Sequence, residues 1–268
     1  MLNTSTVQFA KDVRKISLKM VHEAKSSHIG GAFSMIDILA VLYNGVLNID
    51  PKNSQWKERD IFLLSKGHAC VGLYATLALR GFFPLSELDT FSKNGSPFLT
   101  HASSHVPGVD LSTGSLGHAL SVGCGLAISF KKKRNTRKVY CLLSDGELDE
   151  GSNWEAILFA PHHHLNNLVA IVDYNKVQEN GPTNEIKNLE PLTDKWAAFG
   201  WNVLNIDGHN IEALMSAFDQ FNKTKGKPTV ILANTIKGKG ISFMEGKCGW
   251  HGNAPNKEQL AAALAELK

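Results

Sequence analysis

The sequence predicts an α/β fold with a mainly parallel sheet flanked by helices, and three observations lead there. The runs Val139-Tyr140-Cys141-Leu142-Leu143 and Leu168-Val169-Ala170-Ile171-Val172 are apolar without alternation, the pattern of strands buried on both faces. A segment of helical character, about 153–162, lies between them, so the three read together as a parallel βαβ unit. Further apolar runs at 201–206 and 229–233 flank another helix, 211–221, and repeat the pattern.

Taken from the beginning, Phe9, Val13, Ile16 and Met20 recur at helical spacing and predict an amphipathic first helix. The stretch 26–33 is rich in Gly, Ser and His and reads as a loop. Ser34 is a candidate cap for a helix carrying Ile38, Val41, Leu42 and Val46. The short apolar run 61–64 ends at Ser65, and Lys66-Gly67-His68 opens another helix. Small residues crowd the stretch 114–127: Gly114, Gly117, Ala119, Gly123, Gly125 and Ala127. Glycine in a helix costs about 1 kcal/mol against alanine, so this density implies that a backbone or a ligand comes close. A terminal helix is expected at 261–268. No repeat, low-complexity segment or long Pro/Ser-rich linker interrupts the chain, so residues 1–268 read as one domain.

Hydrophobic residues make up 43% of the 268 and charged residues 20%, a composition that buries a core. The net charge of +3 is too small to point to nucleic acid or a membrane surface. The one dense basic run, Lys131-Lys132-Lys133-Arg134 with Arg137 and Lys138, reads as a solvated connection between helix and strand. No run of about eighteen apolar residues occurs, so no membrane span is expected. Residues 1–14 lack a basic start followed by an apolar core, so no secretory signal is expected. Cys70, Cys124, Cys141 and Cys248 are scattered, which argues against a disulfide framework or a zinc site and fits a reducing cytoplasm. His162, His163 and His164 are adjacent and cannot all face one metal from a helix, so they read as a helix end. His22 reads as a helix-surface residue.

In parallel sheets, ligands bind beyond the carboxyl ends of the strands. Two polar clusters fall there: Asp145-Gly146-Glu147, and Asp173-Tyr174-Asn175. One βαβ turn brings such ends side by side. Asp145 offers a hard carboxylate oxygen, Asn175 a neutral carbonyl oxygen, and the backbone near Val177 a third. Magnesium prefers such oxygens in octahedral geometry, completed by phosphate and water. Gly146 allows a tight turn and close approach of a diphosphate, and the next helix aims its N-terminal amides at that anion. An Asp-Gly pair after a strand is also ordinary turn chemistry; the downstream Asn is what lifts it above that.

This segment resembles the thiamine diphosphate motif, Gly-Asp-Gly followed about thirty residues on by Asn, with Ser144 in place of the first Gly. The resemblance covers nearly the whole chain and is closest to the N-terminal part of the transketolase family. Ala24-Lys25-Ser26-Ser27-His28-Ile29-Gly30-Gly31 resembles the family's Lys-Ser-Gly-His-Pro-Gly loop, with Ser27 for Gly and Ile29 for Pro. Leu64-Ser65-Lys66-Gly67-His68 resembles its Ser-x-Gly-His segment, and Thr113-Gly114-Ser115-Leu116-Gly117-His118 its Thr-Gly-Pro-Leu-Gly-Gln segment. Ile206-Asp207-Gly208-His209, Thr235-Ile236-Lys237-Gly238-Lys239-Gly240 and Trp250-His251-Gly252 follow in the family's order.

The resemblance implies roles. His28, His68 and His251 match histidines that converge on the cofactor's thiazolium and the sugar hydroxyls, where they hydrogen-bond the donor and shuttle protons. A fourth family histidine precedes Gly108-Val109-Asp110; His101 is favoured by position and His105 competes. Gly114, Leu116, Gly146, Glu147 and Asn175 would lie along the cofactor with His68 and His251. Asp145, Asn175 and Val177 would hold Mg2+, with Ca2+ or Mn2+ able to substitute.

Transketolase chains continue for several hundred residues into a second α/β domain that binds the aminopyrimidine ring and supplies a glutamate. Glu147 and Glu150, beside the metal motif, are poorly placed for that role. The resemblance therefore implies the N-terminal subunit of a split transketolase. It would move a two-carbon ketol unit from ketose to aldose, inactive without a C-terminal pyrimidine-domain subunit in an α2β2 assembly. Two alternatives stand beside it. One is half of another thiamine diphosphate enzyme, deoxyxylulose phosphate synthase-like or 2-oxoacid-decarboxylating, against which the histidine loops argue. The other is a non-catalytic regulatory or scaffolding subunit, for which Ser27, Ile29, Ala102 and Ser115 leave room. His118 in place of Gln and the stretch Ser103-Ser104-His105 leave the substrate open among sugars, sugar phosphates and nucleotide-linked sugars.

Overall fold

The computed structural model describes residues 2–268, with side chains described from residue 5 onward. Helix α1 (Leu2–Ala24) is followed by the short helices α2 (Ile29–Ser34) and α3 (Ile36–Val41). Strand β1 (Ile61–Leu64) leads into α4 (Cys70–Leu79), and a long irregular segment then reaches α5 (Ala119–Lys132). The rest alternates: β2 (Val139–Ser144), α6 (Gly151–His162), β3 (Leu168–Tyr174), α7 (Thr183–Ile186), α8 (Leu192–Ala198), β4 (Asn202–Asp207), α9 (Ile211–Lys223), β5 (Thr229–Asn234) and α10 (Lys257–Glu266).

All five strands are parallel, in the order β1-β2-β3-β5-β4. The expected strands at 139–143, 168–172, 201–206 and 229–233 are all present, shifted or extended by a residue or two at their ends. Their side chains split between two cores. Tyr140, Leu142, Val169, Ile171 and Ile231 face the helices around α1, α3, α4 and α9. Cys141, Leu143, Ala170, Val172 and Leu232 face α5, α6 and α8, where the buried Trp196 packs. Burial on both faces is why these runs carry no polar alternation. The register aligns Ser144 with Asp173, so the polar clusters of β2 and β3 lie side by side.

The region before β1 differs from expectation. The Gly-rich stretch 26–33 is not all loop: Ile29–Ser34 is helix, and every residue of it is buried. Burial of Ile29, Ala32 and Phe33 outweighs the weak helix propensity of Gly30 and Gly31. Ser34 ends α2 and caps nothing; its hydroxyl donates to the Gly31 carbonyl at 3.0 Å and to Asp173 Oδ2 at 2.5 Å. His22 is half-buried, with Nδ1 2.8 Å from the Pro255 carbonyl, because α1 is covered by the chain entering α10. Gly123 accounts for part of the small-residue cluster, since a side chain there would meet Leu63, Val139 and Leu168 of the sheet at about 3.5 Å. Gly125 faces open space, and nothing in the structure explains it. All four cysteines are free thiols, and among the described residues no helix is long and apolar enough to cross a membrane.

Candidate functional site

A cavity of about 300 Å3 opens at the carboxyl end of the sheet. It is built by the chain leaving β1, β2, β3 and β5, by α2, and by the turn Cys248–His251. All eleven residues singled out from the sequence line it: His28, His68, His101, Gly114, Leu116, Asp145, Gly146, Glu147, Asn175, Val177 and His251. His105 does not; it lies in a separate cleft beside Arg59 and Asp110.

Four imidazoles form one wall. His28 sits before α2 in a left-handed conformation (φ 73°), and its N–H donates to the His251 carbonyl at 2.7 Å. Its ring centroid is 5.0 Å from His68, 6.0 Å from His101 and 4.9 Å from His251. Tyr74 Oη donates to the His101 carbonyl at 2.8 Å and fixes that segment. Burial disfavours a charged imidazole, and neighbouring cations add to it. Burial and then Lys66 push His68 down to about 2; burial and then Lys237 push His251 down to about 4. His28 is also lowered, by burial and then His101. His28, His68 and His251 are therefore neutral at neutral pH. His28 Nδ1 is buried without a hydrogen-bond partner.

The floor carries the oxygen donors. The buried Asp145 carboxylate accepts the N–H groups of Gly146 at 2.8 Å and Lys176 at 2.5 Å. Burial and then Asp173 raise its carboxyl to about 6. Asn175 Oδ1 accepts the Val177 N–H at 3.1 Å, and its Nδ2 donates to Asp173 Oδ2 at 3.4 Å. Glu147 is fully buried, and its oxygens accept from Ser65 Oγ, the Gly117 N–H at 2.8 Å and the Ser144 N–H at 3.2 Å. It ties three cavity loops together. A side chain at Gly114 would press on the His101 ring at 3.0 Å, and one at Gly146 on Gln178 at 3.0 Å.

Sequence reasoning missed the charged partners. Lys66 and Asp173 form a buried ion pair, and Lys66 Nζ also donates to the Gly31 carbonyl at 2.7 Å. Burial pushes the Asp173 carboxyl up, but Lys66, Ser34 and Thr235 outweigh it and hold it below the ordinary carboxylate range. Lys237 is 2% exposed; Nζ donates to the carbonyls of Val177 and Gln178, each at 3.0 Å, and lies 3.2 Å from His251 Nδ1. Burial and then Lys66 lower it to about 8. The signal was positional: Lys66 and Lys237 each follow a strand's carboxyl end, where ligands bind.

Among the described residues no three His, Cys, Asp or Glu side chains are grouped to hold a metal. The hard donors available are Asp145, Asn175 and the Val177 carbonyl, a set that leaves room for phosphate and water and suits Mg2+ rather than zinc. Two ammonium groups suit a diphosphate, and the two glycines leave space for it to approach. A cation would also offset the burial of the Asp145 carboxylate, so the residues present fit a metal-bound diphosphate.

Comparison with known proteins identifies the family. Residues 5–267 match the family model "Transketolase, thiamine diphosphate binding domain". The 6-deoxy-6-sulfo-D-fructose transketolase subunit SqwG of Clostridium sp. (strain MSTE9) is 45% identical, covering 97% of this chain and 94% of that protein. An apulose-4-phosphate transketolase subunit of Actinobacillus succinogenes is 44% identical over 95% of this chain and 92% of its own length. The crystal structure of transketolase from Campylobacter jejuni superposes with a TM-score of 0.92 at 34% identity, covering 98% of this chain but 43% of that one. The chain thus spans less than half the length of the solved transketolases and nearly all of relatives named as subunits, and it belongs to the transketolase family through its thiamine diphosphate-binding domain.

Proposed function

We propose that residues 1–268 form one thiamine diphosphate-binding domain acting as the N-terminal subunit of a split transketolase in the cytoplasm. The observation that carries this reading is the meeting of Asp145 and Asn175 with His28, His68, His101 and His251 in one cavity. Asp145, Asn175 and the Val177 carbonyl hold Mg2+, with Ca2+ or Mn2+ able to replace it, and Lys66 and Lys237 offset the diphosphate charge. Gly114, Leu116 and Gly146 line the cofactor, and Glu147 fixes the loops that carry them. When bound, thiamine diphosphate supplies a stabilised carbanion that accepts a two-carbon unit.

The chain's own residues do the rest. His28, His68 and His251 face the donor sugar as neutral rings, each able to accept a proton from a hydroxyl and return it. His101 closes the wall against His28 and orients the same hydroxyls. The pyrimidine-binding half comes from a separate C-terminal subunit in an α2β2 assembly. The substrates are sugars or sugar phosphates; the relatives named for a sulfosugar and a sugar phosphate support a donor with an anionic group.

The test is calorimetry with thiamine diphosphate and Mg2+, on the chain alone and then with the C-terminal subunit encoded beside it. Binding that requires the partner, and two-carbon transfer by the mixture only, is the expected result. Full transferase activity of the chain alone, or no binding in either case, overturns the reading.

A further inference from the structure

Behind the cavity, three side chains that no role above uses converge on the loop that follows β5. Asp37 lies on α3, with its carboxylate largely buried. Oδ1 accepts from Arg14 Nη1 at 3.0 Å; Oδ2 accepts from Arg14 Nη2 at 2.8 Å and is 2.7 Å from His209 Nδ1. The far edges of both partners grip backbone. Arg14 Nε donates to the Lys239 carbonyl at 3.1 Å, and His209 Nε2 accepts the Ile236 N–H at 2.8 Å. A ring nitrogen that faces an N–H must be the acceptor, so Nδ1 carries the proton and donates to Asp37.

The two grips bracket Lys237, the residue that reaches the Val177 and Gln178 carbonyls and His251. Ile236 is 37% exposed, so its own packing fixes the loop only in part. One further bond, from the Gly238 N–H to the Gly30 carbonyl at 2.9 Å, ties the same loop to α2. The carboxylate orients a planar fork and a ring, and each passes that orientation to the backbone on one side of the lysine.

We propose that Asp37, Arg14 and His209 form a clamp that positions Lys237 in the site. They touch no ligand and act only through the loop. The proposal rests on the functional reading above in one respect, that Lys237 faces the diphosphate.

Two measurements test it. The first is amide hydrogen exchange by NMR on the chain alone. In His209→Ala, exchange at Ile236 and Gly238 should speed up about tenfold or more, the loss of one well-formed bond, while amides 230–233 of β5 keep their protection. Unchanged exchange at Ile236 in the folded variant overturns the clamp. Should His209→Ala fail to fold, Arg14→Lys loosens the other grip and is read at Lys239 and Gly238 in the same way.

The second is a double-mutant cycle on thiamine diphosphate affinity, with Mg2+ and the C-terminal subunit present. His209→Ala should weaken binding about tenfold in the parent and less than about twofold in a Lys237→Met background. His209→Gln, which keeps an acceptor at the reach of Nε2, should recover part of the loss. Equal losses in both backgrounds would mean a merely structural role and sink the proposal. If the parent shows no affinity, the functional reading fails, and hydrogen exchange alone decides the clamp.

Discussion

Two groups of histidines stand on this molecule, and they are opposites. His162, His163 and His164 are consecutive at the end of α6, where Phe159 and His163 pack with ring centroids 4.1 Å apart. His28, His68, His101 and His251 are scattered along the chain and meet within 6.0 Å of His28. In the consecutive group His162 and His163 pack edge to face with centroids 4.8 Å apart, while His164 Nδ1 turns to the Gly226 carbonyl at 3.0 Å; His162 and His164 are exposed. The dispersed group is aimed inward by four separate loops. Adjacency in sequence thus leaves a histidine group on the solvent side of a helix end, while strand ends far apart in sequence enclose one in a cavity.

The comparison can be broken at its strongest point first. Asp145→Ala or Asn175→Ala should weaken Mg2+-dependent thiamine diphosphate binding at least about a hundredfold, read by calorimetry with the C-terminal partner present. Next, His68→Ala should lower kcat/KM for two-carbon transfer by about 10^2 to 10^4, and His163→Ala should leave it unchanged. Equal effects of the two histidine changes would erase the distinction.

The pH dependence of stability sharpens it further. His68 and His251 have folded values below the ordinary value near 6.5. Below that value the unfolded chain binds more protons than the folded one. Their contribution is therefore complete above about pH 6.5 and is lost as pH falls toward about 4, the value for His251. Urea denaturation between pH 7 and 4 should show this slope, and His251→Gln should flatten it. Asp145 has the opposite sign: its raised value means that ionisation at neutral pH costs stability. Asp145→Asn should abolish metal binding and remove the fall in stability of the cofactor-free chain as pH rises through about 6. Smallest of all, His162→Ala and His164→Ala should each change unfolding free energy by less than about 0.5 kcal/mol.

The strands and the two polar clusters were legible because an apolar run buried on both faces has a strong composition signal, and Asp145 and Asp173 end such runs abruptly. The donor pair Asp145 and Asn175 followed from one βαβ repeat. Helix α2 was not legible: Gly30 and Gly31 read locally as loop, and only tertiary burial makes the segment helical. The same limit hid Lys66 and Lys237. A lysine reads as a surface charge unless its partner is known, and Asp173 lies 107 residues from Lys66. His101 was distinguished from His105 by position alone; in the structure the Tyr74 hydroxyl holds the His101 carbonyl, and His105 lines a separate cleft with Arg59 and Asp110.

The bond from the His28 N–H to the His251 carbonyl joins the region before the first strand to the turn after the last one. During synthesis, all five strands emerge before that turn does. A nascent chain could therefore assemble its whole sheet and still present a cavity open on the side that His251 closes. The cavity would then be completed last, when the closing turn docks, and a chain stalled short of it would carry the residues that face the diphosphate but lack His251.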